Sequence, residues 1–190
     1  VFEETMEHRD YTEDPDVRAM LRFKAGDDAA FRDVYARHFA GVVGFLARGL
    51  RSRARAEELA QEVFLRLHRY RERYRPEASF RTYLYRVARN ALLNELRSRE
   101  ALPFADDPTA TLEALPDHDT PEQRADQEQR VAKVTSALFE LPERQRTAVV
   151  LTRYRELSYE EAAAAMELSE PALKSLLNRA RVALLGRITP

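Results

Sequence analysis

Apolar positions recur three and four residues apart along almost the whole chain, and strand-like alternation is nearly absent, so the pattern predicts an all-α fold. Over 17–50 the buried stripe reads Phe31, Val34, Tyr35, His38, Val42, Phe45 and Leu46, with Gly26 and Asp27, and then Gly41, Gly44 and Gly49, as points where the stretch can divide. The next helix, 54–70, separates cleanly into faces. Ala56, Leu59, Ala60, Val63, Phe64 and Leu67 form the apolar one, leaving Glu57, Glu58, Gln61, Glu62, Leu65 and Arg69 outward. Pro76 in "RERYRPEASF" interrupts, and Ser79 is a suitable N-cap for a third helix with the stripe Phe80, Tyr83, Leu84, Val87, Ala88, Ala91 and Leu92. Tyr83 lies on that stripe and is read as core. The opposite side of this helix carries Arg86, Arg89, Asn90, Asn94 and Arg97.

Residues 101–122, "ALPFADDPTATLEALPDHDTPE", break the periodicity: four prolines stand beside six acidic residues with neither Lys nor Arg, the composition of a flexible linker. Helical patterning resumes over 123–140 with Val131, Val134, Ala137 and Leu138, and again after Pro142 as far as Tyr154. The expected organisation is an acidic N-terminal extension (1–16), a helical domain (17–100), the acidic linker (101–122) and a second small helical domain (123–190). At 190 residues the chain is long enough for two such cores.

Near the C-terminus, "SYEEAAAAMELSEPALKSLLNRAR" predicts two short helices meeting at a sharp corner. Ser158 and Glu161 have the spacing of a capping box. Ala162 to Ala165 let a neighbouring helix approach closely, as a helix-turn-helix requires. Ser169 caps the second helix, whose buried stripe is expected to be Leu173, Leu177, Ala180 and Leu184. Lys174, Ser175, Asn178 and Arg179 then point away, with side chains able to donate to phosphates and base edges. A helical hairpin in an ordinary bundle has the same pattern.

Charge sharpens the picture. The 31 Lys and Arg against 32 Asp and Glu nearly cancel, yet ten Arg fall between Arg66 and Arg99 against three Glu, and the last twenty residues are basic without any acid. Two basic surfaces flanking an acidic tether favour nucleic acid over a merely solvated face. The absence of Cys removes disulfides and thiolate metal sites and favours a reducing compartment. No apolar run reaches the roughly 20 residues of a membrane span, and the first residues are acidic rather than leader-like. A cytoplasmic protein without direct membrane insertion is expected. The four His are scattered, no phosphate-binding Gly loop occurs, and no enzyme, metal or cofactor is expected.

These segments, in this order, resemble bacterial RNA polymerase sigma factors of the extracytoplasmic-function (ECF) group in the sigma-70 family. "AEELAQEVFLRLHRY" resembles the helix that docks on the polymerase largest subunit. "SFRTYLYRVARNALLNELRSR" resembles the minus-10 helix, and "LPERQRTAVVLTRYRELSYEEAAAAMELSEPALKSLLNRAR" the minus-35 domain. The resemblance implies core RNA polymerase and promoter DNA as partners, allows an anti-sigma regulator, and assigns polymerase binding to Glu58, Gln61, Glu62 and Leu65. It assigns minus-10 contacts, including a pocket for an unstacked base, to Arg75, Ser79, Arg86, Arg89, Asn90 and Asn94, and minus-35 contacts to Ser158, Lys174, Ser175, Asn178 and Arg179. The family's promoter elements lie about 55 Å apart at ~3.4 Å per base pair, within the ~75 Å that a 22-residue linker can span. The sequence departs from the family at two places. Glu167 stands where Gly is usual at the corner, and Leu176 where Arg is common, so Leu176→Arg is expected to strengthen minus-35 binding. A sigma-like polymerase-binding adaptor, or a helix-turn-helix regulator without independent promoter specification, remains the alternative.

Overall fold

The computed structural model describes residues 10–101 and 131–188, and every regular element among them is helical. Helix α1 (Pro15–Lys24) starts where the Asp14 carboxylate accepts from the Asp16 N–H, with Pro15 in the first turn where no backbone donor is missed. It ends at Gly26, whose φ of +107° turns the chain. Asp27 then caps α2 (Asp28–Leu50) by accepting from the Ala29 and Ala30 N–H groups, so the first predicted stretch divides at Gly26 and Asp27. The later glycines leave α2 unbroken and serve close approach instead. A Cβ at Gly49 would lie 2.6 Å from Leu92 Cδ2, and one at Gly41 would lie 3.1 Å from the Tyr85 hydroxyl.

Helix α3 (Arg53–Arg69) is capped by Ser52, and its six predicted apolar positions are all buried. A short 3₁₀ turn, Arg71–Arg73, and an extended segment lead to α4 (Phe80–Ala101). On α4 the buried line is Phe80, Leu84, Tyr85, Ala88 and Leu92; Tyr85 takes the inner place and Tyr83 is half-buried against Tyr74 and Phe80. The second half holds α5 (131–139), then α6 (Glu143–Val149), which continues through a π-helical turn (Val150–Tyr154). Helices α7 (Tyr159–Ala165) and α8 (Glu170–Ile188) follow. The linker and the residues from 123 to 130 lie outside the described residues.

The main apolar cluster runs from Val17 through Leu92 and on into Ala148, Leu151, Leu157, Ala162 and Leu173, so the two helical domains pack against each other with apolar contact between them. A smaller cluster of Leu138, Leu141 and Ala180 binds α5 to α8. Asp14 and Asp16, placed by charge in the extension, belong to the first domain: the Phe80 N–H donates to Asp14 Oδ2 at 2.9 Å, and Asp16 pairs with Arg37 and His38.

Candidate functional site

Burial of one face of α3 turns Glu58, Gln61, Glu62 and Leu65 together toward solvent, and Leu65 is 49% exposed among these polar neighbours. The acidic part of the face has an organiser that the sequence reading missed. Arg55 donates from Nε and Nη2 to both oxygens of Glu95 on α4, at 2.9 and 2.8 Å, and from Nη1 to Glu58 at 2.9 Å and Glu62 at 3.4 Å. Its guanidinium is accordingly held charged even more firmly than usual, by Glu95 first and then Glu58. The Glu58 partner is three residues away on the same helix and was legible; the Glu95 partner needed the packing of α3 on α4. Between those helices runs a groove lined by Leu59, Glu62, Val63, Arg66, Ala91 and Asn94. Glu62 of the docking set and Asn94 of the minus-10 set therefore share one groove.

The loop before α4 is fixed at several points. Lys24 Nζ donates to the Tyr74 carbonyl at 3.0 Å, Tyr74 is buried, and Asp14 holds the Phe80 N–H. Ser79 caps the start of α4 by accepting from the Thr82 N–H at 3.3 Å. Arg75 and Asn94 are exposed, while Ser79, Arg86 and Asn90 are partly so. Arg86 lies over the Tyr83 ring, 6.0 Å from its centre, and burial pushes the Tyr83 hydroxyl up from its ordinary pKa. Arg89 is a correction. It is 8% exposed with its Nε unpartnered and buried, so it is not the outward strand contact that the helical wheel implied. The wheel treated α4 as packed on one side, whereas α4 is covered by α2, α3 and α7.

The helix-turn-helix corner forms as expected. Ser158 accepts from the Glu161 N–H, and the Glu161 carboxylate accepts from the Ser158 N–H at 2.9 Å, closing the capping box. Ser158 is exposed, with its hydroxyl committed to that cap. Glu167 takes the left-handed conformation, φ +56°, at the corner between α7 and α8. On α8 the chain buries Leu173, Leu176 and Ala180, while Leu177 and Leu184 are only partly covered. Lys174, Ser175, Asn178 and Arg179 are all exposed. Lys174 reaches Glu170 at 3.2 Å, and Arg179 donates to the Ser175 hydroxyl at 3.2 Å. Leu176 is thus a packed side chain in the main cluster, and the expectation that Arg there would only add a DNA contact is corrected by its burial.

Among the described residues no group of three or more His, Cys, Asp and Glu is placed to hold a metal ion, and no helix is long and apolar enough to cross a membrane. His38 is engaged by Asp16, and His68 packs on Phe23 and Phe31.

Comparison with known proteins matches residues 34–101 to the sigma-70 region 2 family and residues 132–184 to sigma-70 region 4. The RNA polymerase sigma-H factor of Pseudomonas aeruginosa is 30% identical over 94% of this chain and 96% of its own length. Among solved structures, CnrH in complex with the cytosolic domain of CnrY superposes with a TM-score of 0.67 at 24% identity, covering 91% of this chain and 96% of that one. The sigma factor RpoE of Bartonella quintana, in complex with the anti-sigma factor NepR, gives a TM-score of 0.67 at 19% identity over 83% and 96% of the two chains. With region 2 and region 4 matched in succession along the chain, it belongs to the sigma-70 family as an ECF sigma factor, which binds core RNA polymerase and directs promoter recognition.

Proposed function

We propose that the surface of α3 bearing Glu58, Gln61, Glu62 and Leu65 is the polymerase dock, and that promoter contacts divide between two surfaces. Arg75, Ser79, Arg86, Asn90 and Asn94 serve the minus-10 strand; Lys174, Ser175, Asn178 and Arg179 serve the minus-35 duplex, with Ser158 at the start of α7 beside the phosphates. The observation that carries this reading is the groove between α3 and α4, which sets Glu62 and Asn94 on a single feature. A protein bound to α3 is thereby placed against the strand-reading side of α4. Extruding a base costs a few kcal/mol, so the strand contacts work best on a domain that polymerase already holds. The functional units are then 17–100 and 123–190 with the acidic tether 101–122 between them, and Asp14 and Asp16 added to the first. The Bartonella quintana relative was solved with an anti-sigma factor, which supports a regulator of that kind for this chain.

Replacing Gln61 and Glu62 together with Lys tests the dock. Both side chains are exposed, and the Arg55–Glu62 pair that is lost is solvent-screened, so stability falls by less than about 1 kcal/mol while core binding is lost. Wild-type affinity for core polymerase in a folded double variant would remove α3 from the proposal.

A further inference from the structure

Away from the surfaces assigned to polymerase and promoter, two arginines converge without an acid to balance them. Arg48, near the end of α2, and Arg155, just past the π-helical turn, meet over Gly44, where an added Cβ would lie 3.3 Å from Arg48 Nη1 and 3.5 Å from Arg155 Nη2. Arg48 Nη1 donates to the Gly44 carbonyl at 2.8 Å, and the guanidinium lies 4.4 Å from the centre of the Tyr154 ring. Arg155 Nη1 donates to the Gly41 carbonyl at 3.1 Å, and Arg155 also donates to the Tyr85 hydroxyl. The Nε of each arginine is buried and has no hydrogen-bond partner. Burial first, and then Arg155, lowers the Arg48 pKa; only Tyr154 acts the other way, so no carboxylate offsets the pair.

The backbone on both sides brings this about. The Arg155 N–H donates to the Val150 carbonyl at 3.0 Å, the longer reach of a π turn, and Glu156 follows in the left-handed conformation, φ +55°. Such turns gather at functional sites, and strained backbone is found where a ligand is clamped. Here the two features bracket Arg155. On α2, Gly41 and Gly44 place backbone rather than side chain beneath the guanidiniums.

From this convergence we propose that Arg48 and Arg155, over Gly41 and Gly44, form a binding site for a phosphate-type oxyanion. The planar forks of guanidinium match phosphate oxygens. A phosphoryl group carries about −1.5 to −2 charges at pH 7, which balances the two cations. Its tetrahedral oxygens accept from two forks at once, and a fork turned toward it gives the buried Nε the acceptor it lacks. Gly41, Gly44, Arg48 and Arg155 are all partly exposed, so solvent reaches the site. The phosphoryl group is either free or carried by a nucleotide.

The test titrates inorganic phosphate into the full chain at constant ionic strength, exchanging it for chloride, and follows phosphorus NMR line width and thermal denaturation. A saturable rise in melting temperature with matching line broadening is expected. Arg48→Met and Arg155→Met should each weaken binding by about tenfold or more, the loss of a charge-assisted hydrogen bond. Arg153→Met, at an exposed arginine of the same turn, should bind as the parent does. Gly44→Ala keeps both charges but fills the space between the forks, and should bind several-fold more weakly. ADP in place of phosphate separates the two sources. Binding tighter by about tenfold or more, with the same arginine dependence, assigns the site to a nucleotide; equal or weaker binding assigns it to the free ion. The absence of a saturable response overturns the proposal, as does a response unchanged in both Met variants or, where those do not fold, in Gly44→Ala. The chain is titrated alone, so the outcome is independent of the polymerase and promoter assignments.

Discussion

Arg55→Met isolates the side chain that joins α3 to α4. The variant keeps the apolar stem but removes the fork that donates to both Glu95 oxygens at 2.9 and 2.8 Å. Charge-assisted hydrogen bonds contribute about 1.5–3 kcal/mol each. Solvent reaches both groups, with 29% of the Arg55 side chain and 14% of the Glu95 side chain exposed, so the pair is discounted to a net of about 2 kcal/mol. With a urea slope of about 2 kcal/mol/M the unfolding midpoint falls by about 1 M. Glu95→Gln should lose a similar amount. Arg55→Met combined with Glu95→Leu should recover part of the loss, because no buried charge is then left unpaired. The assay is a double-mutant cycle by urea denaturation, followed by titration of core polymerase with the folded variants. Glu58 and Glu62 lose their common partner in Arg55→Met, so polymerase affinity falls there and is retained in Glu95→Gln. Additive losses across the cycle, with no coupling, would refute the view that Arg55 acts through Glu95; equal polymerase affinity in both single variants would refute its role in ordering the docking face.

Two further substitutions concern the helix-turn-helix. Glu167→Gly relieves a left-handed residue whose conformation costs about 1–2 kcal/mol, against about 0.4–1 kcal/mol of extra chain entropy for Gly, so thermal denaturation should show a gain of about 0.5–1 kcal/mol; a lower melting temperature would mean that the Glu167 side chain has a stabilising role of its own. Leu176→Arg removes a buried apolar side chain worth about 2 kcal/mol, so the variant should melt lower and bind a minus-35 duplex more weakly than the parent chain in fluorescence anisotropy. Tighter binding at unchanged stability would restore the reading in which position 176 faces DNA.

How far the sequence revealed these features depended on how many partners each element has. Helix α3 packs one face inward, and its whole apolar stripe and its outward set were legible from period alone. The α7 capping box was equally legible, because it is closed by residues within a turn of chain. Helix α4 defeated the same arithmetic. Its wheel gives Tyr83 the inner place and Arg89 an outer one, yet α2, α3 and α7 all cover α4, so Tyr85, against Phe45 of α2, and Arg89 are buried while Tyr83 is only half so. On α8 the difference is a single position: Leu176 and Leu177 are adjacent leucines, and which one turns inward is decided by the main cluster rather than by their own helix.

Charge patterning misled the reading where one residue works over a long distance. The acidic run at the N-terminus reads as an extension from its composition, and that holds only while partners are sought nearby. Asp14 caps its own helix through the Asp16 N–H and accepts from Phe80, 66 residues later, at 2.9 Å. The second bond satisfies one of the backbone donors that the start of α4 leaves open. Placing a carboxylate at that N-terminus also suits the helix dipole. Asp16 binds Arg37 and His38 on α2, and His38 lies against Phe80, with ring centres 5.2 Å apart. Two carboxylates close to the N-terminus therefore fix α1 to α2 and set the entry into α4. Their acidity serves hydrogen-bond acceptance at a buried junction, and the loop before α4 is positioned from a segment that composition alone had set outside the domain.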